Sequence, residues 1–185
     1  MPLSTPALRR EIHRRVIDMQ AYARDDGLYD VEVHLVDTKP FEFQRFSTPK
    51  PWPAGTPLHD LWLRLTIDAA YDVTAIEASS DVTPFAICKE AEKTLSVLIG
   101  QRVAKGWPSR VREKLGGAAS CTHLMEMLLP LGTTAYQAIN ALRADRITNF
   151  ESQAHKVIDS CYAYGREREV VQRLWPELIK SLHKP

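Results

Sequence analysis

Much that would assign a function is missing from this chain of 185 residues. No stretch approaches the roughly 18 apolar residues that a membrane-spanning helix needs. The opening MPLSTPALRREIHRR has no apolar h-region, so neither a membrane span nor a signal peptide is expected. Charge of one sign is not in excess: 24 Lys and Arg against 23 Asp and Glu leave +1, which supplies no global field to recruit nucleic acid. The basic groups Arg9-Arg10, Arg14-Arg15 and Arg110 to Lys114 lie apart with acids between them and read as solvated faces. Cysteine is scarce, and three widely spaced thiols, an odd number, make no disulfide framework. A reducing cytoplasm is the expected setting. Also absent are GxSxG, a P-loop, the dinucleotide glycine fingerprint, HExxH and CxxC, which argues against the commonest hydrolase, nucleotide-binding and zinc-finger classes.

What is present is a run of strands followed by a run of helices, the order of an α+β fold rather than a doubly wound sheet. Ile12–Arg24 and Leu28–Thr38 read as strands joined at Asp25-Asp26-Gly27, because a glycine accepts the positive φ of a hairpin loop. The second strand alternates: Tyr29, Val31, Val33 and Leu35 on one face, Asp30, Glu32 and His34 on the other. Those polar residues can pair across strands with Arg64, either as a charge-satisfied open face or as one wall of a polar pocket. Leu61–Asp68 is the clearest strand, with Leu61, Leu63, Leu65 and Ile67 inward, and Val73–Ala78 follows. The expected fold is an antiparallel meander of about four strands with helices packed on one face and a helical C-terminal half.

Between the second and third strands lie Pro40, Pro49, Pro51, Pro53 and Pro57 with Phe41, Phe43, Phe46 and Trp52 among them. Proline cannot donate to a ladder, so this is a long connection, either a lid or a loop pinned by its own aromatics. The helical half is expected to hold a helix from Lys89 to Gly100 with Ala91, Leu95, Leu98 and Ile99 on one stripe. A short helix from Trp107-Pro108-Ser109 to Leu115 comes next, then a long helix over about Thr122 to Ala144, kinked by Pro130 and Gly132. A last helical segment, Glu151 to Leu182, is broken near Gly165 and Pro176 and carries Cys161 on its apolar side. The expected division is an α+β domain over 1–145 and a helical extension over 146–185 packed on it.

Candidate chemistry gathers at element ends. Cys121 follows the small-residue run Gly116-Gly117-Ala118-Ala119-Ser120 and stands at the mouth of the long helix, where unpaired N–H groups and the dipole favour a thiolate. The same field disfavours imidazolium at His123, leaving a ring able to bind metal. Cys88 also precedes a predicted helix, and His59-Asp60 opens the best strand. Together His59, Asp60, Cys88, Cys121 and His123 form a candidate metal-ligand set, since zinc and iron accept Cys, His and Asp together. Each also has a plainer reading, as helix cap, core residue or strand-end polar group.

The stretches RDDGLYDVEVHLVDTK, LHDLWLRLTID, Pro84-Phe85-Ala86-Ile87-Cys88 and GGAASCTHLMEMLLPLGTTAYQAI resemble, over nearly the whole chain, an uncharacterised bacterial family of unknown function. More remotely, from Leu58 to Ile139 the order of elements is similar to the U-type iron–sulfur cluster scaffold proteins. In that likeness His59-Asp60 stands where the family has Cys-Gly-Asp, Leu98-Ile99-Gly100 resembles the end of its middle helix, and Ser120-Cys121-Thr122 resembles its final cysteine segment. The first cysteine of that family is absent here, Cys88 falls later than its spacing, and no histidine directly precedes Cys121.

Two functions follow as expectations. The first is a cytosolic metal-binding protein, holding zinc, iron or an iron–sulfur cluster through the five residues named. The second is a small-molecule catabolic enzyme, of hydrolase or lyase type, using Cys121 with His and Asp partners beneath the aromatic loop. The partners expected are a metal or a small molecule, with neither nucleic acid nor membrane involved and self-association into a homo-oligomer left open.

Overall fold

Alternating sequence produces the sheet directly. In the computed structural model, which describes residues 3–142, 154–155 and 157–177, four strands run β1 (Arg14–Ala23), β2 (Tyr29–Thr38), β3 (His59–Ile67) and β4 (Val73–Val82). They form one antiparallel sheet in the order β1-β2-β3-β4. The first turn closes as the Asp-Gly pair requires: Gly27 takes φ 82°, and the Arg24 N–H donates to the Leu28 carbonyl. Helical segments follow the sheet, so the fold is α+β.

Two strands are longer than their composition suggests. β3 begins at His59, and β4 continues through Ser79–Val82 opposite Asp60, Leu61 and Trp62, with an irregularity between Asp60 and Leu61. Serine and aspartate have little β preference, so here the neighbouring strand sets the conformation.

The segment Ala86–Leu98 is 3₁₀ rather than α-helical. Three residues per turn bring Leu95 and Leu98 into line, and both are buried, while Ile99 turns outward. An α-helical stripe would have put Ile99 beside Leu95. After it come α1 (Trp107–Leu115), with Pro108 in its first turn, and α2 (Thr122–Leu142).

One face of the sheet carries the core. Val31, Val33 and Leu35 of β2 and Leu61, Leu63, Leu65 and Ile67 of β3 share a buried cluster with Val111 and Leu115 of α1 and Leu124, Leu128, Leu131 and Ile139 of α2. Trp107 belongs to it too, and its indole N–H donates to the Leu128 carbonyl at 2.8 Å. Gly132 lets that ring close on α2: a Cβ there would lie 2.6 Å from Trp107 Cδ1. The opposite face is open and charge-paired. Arg64 donates to Glu32 at 2.7 Å and reaches Glu77, while Thr66 donates to Asp30. It is the satisfied polar face of the two alternatives.

The chain divides into two compact units, 1–139 and 140–185. The second has a small core of its own, Ala154, Val171 and Trp175, with α3 (Glu169–Leu174) as its one uninterrupted described helix. Cys161 is exposed there, contrary to the expectation of a core position, because 158–168 runs through turns and no helical phase applies. The rest of the helix expected over Glu151 to Leu182 lies partly outside the described residues. No helix among the described residues is long and apolar enough to cross a membrane.

Candidate functional site

The alternation of β2 does not stop at Leu35. Asp37 falls on the same inward face and is 1% exposed, which demands compensation for a buried charge. The β1 register supplies it by placing Arg15 directly opposite. Arg15 donates from Nε to Oδ1 at 2.8 Å and from Nη2 to Oδ2 at 2.7 Å, a fork that fits a carboxylate. A third bond from Arg15 Nη1 reaches Glu126 Oε2 at 3.2 Å and ties β1 to α2. His13 Nε2 lies 3.2 Å from Oδ1, and His59 Nδ1 lies 3.0 Å from Oδ2. Burial is the largest single influence on Asp37 and pushes its carboxyl up, but Arg15 and His59 together outweigh it and hold the group below the usual carboxylate range.

His59 stands opposite Asp37 in the β2–β3 ladder and shares the inward face of Leu61 and Leu63. It is 8% exposed, and burial lowers its pKa although Asp37 pulls the other way. His59 is therefore neutral near neutral pH. Facing a carboxylate, Nδ1 carries the proton and leaves the Nε2 lone pair free.

Below about pH 6.5 an unfolded His59 takes up a proton that the folded one resists. The unfolded state then binds more protons, and stability falls as the solution is acidified. Asp37 acts in the same sense lower on the scale: its contribution is full above about pH 3.9 and is lost as pH falls through its depressed folded value. Chelator-treated protein should lose thermal stability between about pH 7 and about pH 5, less steeply in a His59→Gln variant. A wild-type melting temperature that does not move over that range would show that His59 is not held neutral by the fold.

α2 brings the remaining groups. Its first backbone bond runs from the Met125 N–H to the Cys121 carbonyl, which makes Cys121 the N-cap. One residue into the helix, His123 lays its ring against that of His59, with centroids 3.9 Å apart and planes tilted by 35°. Donor atoms of Asp37, His59 and His123 lie within 4.8 Å of one another. Cys121 Sγ is 3.9 Å from His123 Nδ1. Burial raises the thiol's pKa, but the contact with His123 and the N–H groups of Leu124 and His123 overcome it, and the net shift is downward.

A cleft of about 510 Å³ opens beside these groups. His59, Cys88, Ser120, Cys121 and His123 line it, over an apolar floor that includes Leu61 and Pro84. Thr94 donates to Ser120 at 2.7 Å and pins the 3₁₀ segment to the passage before α2.

Four of the five residues expected from the sequence therefore line one cleft. Asp60 does not join them. Adjacent residues of a strand face opposite ways, so burying His59 turns Asp60 to the open face. There its Oδ1 lies 2.7 Å from His34 Nε2, and the His34 ring stacks on Trp62 at 3.7 Å. The carboxylate that meets His59 is instead Asp37, which stands behind its ring and does not itself line the cleft. Of the two readings of the 39–58 connection, the structure shows the pinned loop, and none of its residues lines the cleft. That loop is pinned by its own aromatics, with Phe43 and Trp52 bridged through their main chains and the Trp52 indole donating to the Pro57 carbonyl.

Asp37, Arg15 and His13 escaped the sequence reading. Parity was a usable signal for Asp37, which is two residues beyond Leu35 on a strand whose odd positions are apolar. Nothing local marked its partners, because Arg15 is chosen by register.

A four-stranded sheet with helices on one face, and a Cys/His/Asp cluster in a cleft between the layers, defines an α+β domain built round a candidate metal or thiol site. Residues 13–137 match the family described as "Protein of unknown function (DUF2889)", and the chain belongs to that family. No curated protein and no solved structure matches it.

Proposed function

We propose that the cleft is a mononuclear metal site. The observation that carries this reading is the convergence of the Asp37, His59 and His123 donor atoms to within 4.8 Å. Ligands around zinc or ferrous iron sit at about 2.0–2.3 Å from the ion, and the His59 and His123 rings (3.9 Å between centroids) and Cys121 Sγ (3.9 Å from His123 Nδ1) stand side by side at the cleft. Asp37 already accepts from or abuts four groups, namely two Arg15 nitrogens, His13 and His59, which uses up its acceptor positions. Its role is then to hold His59 from behind, as carboxylates do for metal-bound histidines. His59, His123 and Cys121 would make direct bonds, and Cys88 lines the same cleft as a candidate fourth ligand. A bound ion would supply Lewis acidity to a ligand in the cleft.

Protein purified without chelator, anaerobically, should carry zinc or iron near one equivalent and lose it in Cys121→Ser and His59→Ala variants that keep the wild-type fold. A folded protein that takes up no metal from millimolar zinc or ferrous iron would refute the site.

The lowered thiol pKa at an N-cap, with His123 beside it, favours one other reading, in which Cys121 is a nucleophile and needs no metal. Metal-free protein with a single fast-reacting thiol at Cys121 is its signature.

A further inference from the structure

The sheet has two edges, and only one of them is closed. Along β4, Val73 exchanges main-chain bonds with Gly100 and Gln101 at 2.8 and 2.9 Å, and the Ser80 N–H donates to Glu92 Oε1 at 2.7 Å. The segment Ala86–Leu98 packs against that strand. β1 has no such cover. Among the described residues its main chain bonds only to β2, so alternate N–H and C=O groups along its 10 residues face outward without a protein partner.

Edges of this length are usually blunted by a proline or a bulge. β1 has neither: RRVIDMQAYA pairs with β2 in unbroken register. It also leaves apolar side chains uncovered. Val16 and Tyr22 lie on the open face, each 45% exposed, and Ile17 lies on the helical face, 42% exposed. On that same helical face a groove of about 640 Å³ runs between Ala21 and Pro130, Thr133, Thr134, Gln137 and Ala138 of α2.

We infer that β1 pairs antiparallel with the β1 of a second copy of this chain, joining the two sheets into one about a two-fold axis. Parity and charge fix the register. Opposed residues of an antiparallel pair share a face, so the axis passes beside a residue and not between two. Only axes at Asp18 or Met19 overlap the strand almost fully. An axis at Asp18 sets that carboxylate against its own copy, a destabilising pair. An axis at Met19 opposes no like charges over Arg15–Ala23. On the open face it sets Val16 against the partner's Tyr22, a favourable β-branched and aromatic pair, and Asp18 against the amide of the partner's Gln20. On the helical face it sets Ile17 against the partner's Ala21, the small residue that walls the groove, so each isoleucine fills the space beside the other copy's α2. The pairing does not depend on what the cleft binds.

Light scattering after size exclusion of the full chain, from low to high micromolar concentration, should show a dimer that dissociates on dilution. Two double variants test the register. Val16→Lys with Tyr22→Lys opposes like charges at two symmetric places, whereas Val16→Glu with Tyr22→Lys opposes unlike ones. The first should have a dimer dissociation constant at least about 10-fold above the second, and the gap should narrow with salt. Both positions are exposed in one chain, so the circular dichroism of dilute monomer should match wild type in both. Amide exchange offers a test without substitution: outward amides of β1 should be protected in concentrated wild-type protein and exchange freely in dilute. A chain that is monomeric throughout leaves the edge to water or to a strand of another protein and overturns the proposal. A dimer in which the two double variants associate equally, or in which β1 amides stay unprotected, uses another surface and overturns it too. So does assembly beyond the dimer, because the β4 edge is closed.

Discussion

Replacing Asp37 by alanine should lower stability by about 2–3 kcal/mol, measured by urea unfolding of the metal-free protein. The loss of a fully buried carboxylate strands Arg15, His59 and His13 at once. The figure is set below the usual range for breaking a buried pair because Arg15 is one-third exposed and keeps Glu126 as a partner. Asp37→Asn is the more informative change. It keeps the size and one acceptor oxygen but removes the charge that fixes the His59 Nδ1 proton. Zinc affinity should fall about 10–100-fold, as for other carboxylates behind a metal-bound histidine. Unaltered zinc binding in Asp37→Asn would mean that the carboxylate does not orient His59.

The second large effect is expected far from the cleft. Gly132→Ala forces a methyl group to within 2.6 Å of the Trp107 ring and 3.3 Å of Val103. The ring is 2% exposed and tied to the Leu128 carbonyl, so it cannot swing away without losing that bond. Overpacking of this kind costs about 1–3 kcal/mol. Trp107→Leu alone leaves a cavity and removes the indole's hydrogen bond, with a cost of similar size. Combined, the two substitutions should cost clearly less than their sum, because leucine vacates the space that alanine needs. Additive losses in the double mutant would show that the contact between Gly132 and Trp107 is not what restricts position 132.

The proposed site also depends on that packing. α2 carries Cys121 and His123 at its start and Leu124, Leu128, Leu131 and Ile139 on the sheet. Seating of the helix therefore sets how closely His123 meets His59. Overpacking at Gly132 should therefore lower both stability and metal affinity, whereas Asp37→Asn lowers affinity with α2 seated as in wild type.

Particular residues show where local sequence sufficed. The odd positions Val31, Val33 and Leu35, and Leu61, Leu63 and Leu65, announced two half-buried strands. Asp25-Asp26-Gly27 announced the hairpin that joins β1 to β2, because only a residue tolerant of positive φ closes that loop. Cys121 was recognisable as a helix-mouth thiol from the small residues before it. These features depend on side-chain period and backbone sterics, which each segment carries by itself. His59 and Asp60 were partly legible: parity selects one of them for the core, but only once the strand is known to start at His59.

By itself, then, the sequence determined the α+β order, the inward faces of β2 and β3, and the thiol at the start of α2. Tertiary structure alone decided that Arg15 stands across from Asp37, that Ala86–Leu98 winds as 3₁₀, and that His123 comes to rest on His59. Those three depend on strand register and on how a helix seats against a sheet, contacts between segments far apart in the chain that no local pattern encodes.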